Sequence, residues 1–89
     1  MKQRYLEVTF RNGKALAAYL YLPRPTGTKS VRTADFGDGL LVDYTSSGEP
    51  MGLEITAPGE VSVARINAVL AEIGLEPLAP DESEPLRAA

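Results

Sequence analysis

The chain has 89 residues, 44% of them hydrophobic and 24% charged, with a net charge of −3. This is the size and composition of one small globular domain, and it argues against wholesale disorder. Cysteine and histidine are both absent. That excludes disulfides, thiolate metal sites and thiol nucleophiles, and it removes the commonest general base near neutral pH and the commonest nitrogen ligand for zinc.

The charge is unevenly spread. Residues 1–34 carry seven Lys or Arg and one Glu, a net +6, whereas residues 35–89 carry two Arg and eleven acids, a net −9. The two halves should attract each other, within one molecule or between two.

Residues 4–10, RYLEVTF, alternate as a strand does, with Leu6, Val8 and Phe10 on one side. Asn12-Gly13 then signals a hairpin. A two-residue loop would pair Phe10 with Ala15 and send Leu16, Leu20 and Leu22 to the face opposite Leu6 and Val8. A three-residue loop of Arg11, Asn12 and Gly13 pairs Phe10 with Lys14 and Val8 with Leu16, so that Leu6, Val8, Phe10, Leu16, Ala18, Leu20 and Leu22 share a face. Burial favours the second register. The opposite face then gathers Tyr5, Thr9, Ala15, Ala17, Tyr19 and Tyr21 around Glu7. Three tyrosines there read as ordinary strand preference with wet hydroxyls, as a partner surface, or as a platform for a small ligand.

Residues 23–29, PRPTGTK, form a loop, and residues 30–36 a third strand. The Gly37-Asp38-Gly39 turn is too short and too poor in acids for an EF-hand, and no helix follows it to make a phosphate loop. Residues 40–55, LLVDYTSSGEPMGLEI, read as the central hairpin. With Ser47-Gly48 as its loop, Tyr44 faces Met51, Val42 faces Leu53 and Leu40 faces Ile55. Leu41, Asp43, Gly52 and Glu54 then lie on the other face. After a break at Ala57-Pro58-Gly59, Ser62 caps a helix in which Val63, Ile66, Val69, Leu70 and Ile73 recur at helical spacing. Gly74 and Leu75 end it. One helix is narrow for five strands, which leaves apolar area for a second subunit. Residues 79–89 turn to Pro, Asp, Glu, Ser and Ala and are expected to be a disordered acidic tail.

Asp43 and Glu54 are diagonal neighbours on the polar face of the hairpin. Two carboxylates so placed suit acid–base hydrolysis or a divalent cation, but the stronger reading is the ordinary charge of a solvated sheet face, with Arg32 near enough to pair with one. Ser46, Ser47 and Ser62 have no histidine to activate them, and Lys14 and Lys29 lie in or beside turns. The basic residues Lys2, Arg4, Arg11, Lys14, Arg24, Lys29 and Arg32 are scattered over several elements of an acidic chain, which disfavours nucleic acid.

The run Gly39-Leu40-Leu41-Val42-Asp43-Tyr44, followed by Gly48-Glu49-Pro50-Met51-Gly52-Leu53-Glu54-Ile55, resembles a widespread family of small bacterial proteins of unknown function. Their shared core reads Gly-hydrophobic-hydrophobic-Val-Asp-Tyr, a short Gly-containing turn, then hydrophobic-Gly-hydrophobic-Glu-Ile. Ala18-Tyr19-Leu20-Tyr21 matches their opening strands more loosely, and the resemblance covers about residues 5–75. It implies a compact β-sheet domain with no established activity. Some members sit beside genes for small toxin-like proteins, which implies an antitoxin or neutralising role. The proline-rich loop, the full helix and the acidic tail depart from the shorter members.

The expected fold is α+β: an antiparallel meander of about five strands with one C-terminal helix on one face, in a single domain over residues 1–78. The expected function is a non-enzymatic protein-binding module, antitoxin-like within that class. Its candidate partner-binding residues are Tyr5, Tyr19, Tyr21 and Arg32. The alternatives are a small enzyme or metal- or ligand-binding protein centred on Asp43 and Glu54, or a structural homodimer. No catalytic residue, metal or cofactor is assigned. The expected partner is another protein or a second copy, in the cytoplasm and away from membranes.

Overall fold

The computed structural model describes residues 3–25 and 27–87. Lys2 of the basic set, Thr26 of the proline-rich loop, and Ala88 and Ala89 of the acidic tail lie outside them. Five strands, β1 (Tyr5–Arg11), β2 (Lys14–Tyr21), β3 (Arg32–Asp35), β4 (Leu40–Tyr44) and β5 (Pro50–Ile55), precede α1 (Val63–Glu72) and the short α2 (Glu84–Arg87). All strand pairs are antiparallel, and the fold is α+β as expected. The order in the sheet is β1-β2-β5-β4-β3. The loop after β2 therefore carries the chain to the far edge, and two antiparallel segments join through β2 and β5 in place of one continuous meander. β3 is shorter than the sequence suggests, four residues at an edge.

The first hairpin corrects the expected register. Its loop is the two-residue Asn12-Gly13, with Arg11 opposite Lys14 and φ of 53° and 77° at the two loop residues. Such left-handed pairs match the strand twist. Between Thr9 and Phe10 the register shifts, so Thr9 faces Ala17, Phe10 faces Ala15, and Leu16 is left over as a bulge. The bulge resets the phase, and Leu6, Val8, Ala18, Leu20 and Leu22 do share the core side. Phe10 and Leu16, assigned to that core from the sequence, are instead 45% and 50% exposed.

The central hairpin pairs Leu40 with Ile55 and Val42 with Leu53, as expected. Its loop has three residues, 46–48, with Gly48 at φ 85°. The Gly48 N–H donates to Thr45 O and the Thr45 N–H to Glu49 O. Tyr44 consequently faces Pro50 and not Met51.

Leu20, Leu40, Val42, Leu53 and Ile55 on the sheet meet Ile66, Val69 and Leu70 of α1, all fully buried. Ser62 caps the helix, its Oγ accepting from the Arg65 N–H at 3.0 Å. Gly74, at φ 80°, closes it: its N–H donates to Ala71 O, and that of Leu75 to Leu70 O.

The acidic segment is ordered where it is described, which corrects the disordered tail expected from Ala79. Leu78, Ser83 and Leu86 are buried, and Leu78 and Leu86 join the core. Arg4 holds the segment by donating to Glu76 O, Pro77 O and both carboxylate oxygens of Glu82. The returning chain thus covers apolar area that one helix leaves bare, and it joins the basic half of the chain to the acidic half within one molecule.

Candidate functional site

Away from α1, the register lines up two rows of side chains across all five strands. One row is Tyr5, Tyr21, Gly52, Asp43 and Thr33. The other is Glu7, Tyr19, Glu54, Leu41 and Asp35. The three tyrosines come together as expected. Tyr5 and Tyr21 stack with ring centroids 4.7 Å apart at 17°, and Tyr19 meets Tyr21 at 4.7 Å and 59°. Tyr5 remains 50% exposed.

Tyr19 is also part of the sheet's construction. Its ring lies over Gly52, where any side chain would collide with it. Its hydroxyl donates to Asp43 Oδ2 at 2.6 Å, while the Thr33 hydroxyl donates to Asp43 Oδ1 at 2.6 Å. Burial, and then the bond to Asp43, push the Tyr19 phenol well above the ordinary tyrosine range. Burial and a 3.2 Å hydrogen bond to Glu7 Oε1 raise that of Tyr21.

Asp43 and Glu54 are diagonal neighbours as the hairpin predicted, with Asp43 opposite Gly52 and Glu54 opposite Leu41. Both oxygens of Asp43 are engaged by hydroxyls. Glu54 is half-buried between Tyr19 and Leu41 and has no hydrogen-bond or ion-pair partner among the described residues. No cluster of three or more acidic ligands suited to a metal ion occurs among the described residues.

Arg32 does not belong to this face. It alternates with Thr33, so it points to the helix side, and its guanidinium lies 4.1 Å from the centroid of the half-buried Tyr44. The expected pairing with Asp43 or Glu54 is replaced by this stacking. Arg24 counted in the sequence only as one of the scattered basic residues, and its place beside the tyrosines was missed. Its Nη1 donates to Leu22 O and Met51 O, and its guanidinium lies 5.5 Å from the Tyr21 centroid. The sequence signal was its place just past β2, where Pro23 and Pro25 hold the chain extended. Beside it a shallow cavity of about 280 Å³ opens between the proline-rich loop and the turn at 46–48. Ser47 lines that cavity and bonds with Thr45 and Glu49, whereas Ser62 is used as the helix cap.

No helix among the described residues is long and apolar enough to cross a membrane. Comparison of the chain with protein-family models, with curated proteins and with solved structures gives no match.

Proposed function

We propose that the protein is a binding module that acts by associating with another protein through its tyrosine-bearing sheet face. The observation that carries this reading is the uncovered row of aromatic, aliphatic and carboxylate side chains. Tyr5, Tyr19, Tyr21 and Leu41 offer contact area at low entropic cost, and among the described residues no element packs over them. The opposite face is covered by α1 and the returning C-terminal segment. An enzyme or metal protein built on Asp43 and Glu54 is favoured less, because Asp43 has both oxygens committed to Tyr19 and Thr33. The resemblance of the central hairpin to the small bacterial family supports an antitoxin-like role within the binding class.

The test is affinity capture from the native cell with the full chain and with a Tyr5→Ser, Leu41→Ser variant, both checked for folding by circular dichroism. A protein recovered in stoichiometric amount with the first bait and lost with the second is the expected result. A partner retained by the variant, or no partner at all, would contradict the proposal. Tyr19 is left intact because its loss would disturb the sheet itself.

A further inference from the structure

The chemistry of the face narrows what it can receive. Its two rows carry four carboxylates, Glu7, Asp35, Asp43 and Glu54, and no Lys or Arg. Three of the four have donors within the chain: the Tyr21 hydroxyl for Glu7, the Gly37 N–H for Asp35, and the Tyr19 and Thr33 hydroxyls for Asp43. Glu54, on the central strand, has none among the described residues. It has lost part of its water between Tyr19 and Leu41 without gaining a donor, a cost that an incoming cation would offset. Aromatic faces beside it would add to the attraction, and Arg24 against Tyr21 shows a guanidinium settling on this ladder.

We propose that the face docks a basic polypeptide segment, with a lysine or arginine of the partner seated on Glu54 between Tyr19 and Leu41. This rests on the reading of the face as a binding surface and names the chemistry of what it binds. Glu7, Glu54 and Asp35 sit on alternate strands of the sheet, so neighbours among them are roughly 9–10 Å apart. A polyproline II segment crossing the strands rises about 3.1 Å per residue with three residues per turn, so it covers that distance in three residues and returns to the same face. A basic residue at every third position would therefore meet all three carboxylates. The same carboxylates would repel nucleic-acid phosphates and anionic lipid headgroups.

Random linear peptides displayed on phage, selected against the full chain, test the proposal. The recovered peptides should be rich in Lys and Arg, and their binding should weaken as salt is raised. Their affinity should fall about tenfold in Glu54→Gln, while Glu60→Gln, an exposed carboxylate away from the face, leaves it unchanged. Glu54→Gln keeps the shape of a side chain that makes no hydrogen bond; Glu7→Gln is a second variant should it fail to fold. Apolar or acidic peptides that bind Glu54→Gln as well as the parent, yet are lost in Tyr5→Ser, would overturn the cationic partner and leave the binding face standing. Basic peptides indifferent to both Glu54→Gln and Glu7→Gln would overturn it as well. An absence of enrichment, or peptides insensitive to Tyr5→Ser and Glu54→Gln alike, would overturn both readings.

Discussion

Gly52 lies in the middle of the central strand, where a residue without a side chain weakens a sheet unless something else fills the space. Here the Tyr19 ring fills it, and from that position its hydroxyl reaches Asp43. Gly52→Ala should therefore destabilise the fold by about 1–3 kcal/mol, because the added methyl displaces the ring. In a Tyr19→Ser background the same change should be nearly neutral, and thermal unfolding of the four species in the double-mutant cycle reads the difference. The Tyr19 phenol has its own signature. Its ionisation is shifted upward, so the stability it contributes is complete below the ordinary tyrosine value and is lost as pH rises through the raised folded value. Tyr19→Phe should remove the most alkaline step from an ultraviolet titration of the folded protein. Alternation alone placed Tyr5, Tyr19 and Tyr21 together. It could not reveal that Tyr19 fills a gap, because that depends on which strand lies beside β2.

At the scale of elements, both hairpins were legible as hairpins; the first was misread in register, and the central one only beside its turn, where Tyr44 faces Pro50. Asn12-Gly13 took its favoured two-residue form, and a bulge at Leu16 supplied the phase correction that the three-residue loop had been invoked to make. The bulge at Leu16 has no glycine to mark it, so apolar alternation placed most of the buried face while counting residues around the turn did not fix the partners. The helix was legible to its ends, since Ser62, Gly74 and Leu75 act through short-range hydrogen bonds. The acidic segment was misread because composition outweighed two leucines, Leu78 and Leu86, too far apart to show a period. Arg4 holds that segment, and the bond from its guanidinium keeps the Glu82 carboxyl below the usual carboxylate range. Such a group stabilises the fold fully above its ordinary value, and the contribution is lost as pH falls through the lowered folded value. Glu82→Gln should thus be less stable than the parent by about 1 kcal/mol at neutral pH. The gap should close in acid, as thermal melts across pH would show.

For the whole molecule, the strand order puts β5 between β2 and β4, and this alone brings Tyr19, Glu54 and Leu41 into one row. No short-range signal specifies that order, since it follows from a loop crossing the end of the sheet. The charge asymmetry was legible and is partly used within the chain, through Arg4 and Glu82. The remaining acids of the sheet face are what a basic partner would meet. The four tyrosines give a direct reading of which face is engaged, because Tyr5, Tyr19 and Tyr21 lie on the open side and Tyr44 lies under Arg32 on the other. Nuclear magnetic resonance of the tyrosine rings, with and without the captured partner or a selected peptide, is the measurement to make. Shifts at Tyr5, Tyr19 and Tyr21 with Tyr44 unchanged are the predicted result. A shift confined to Tyr44, or no ring shift at all on binding, would contradict the account.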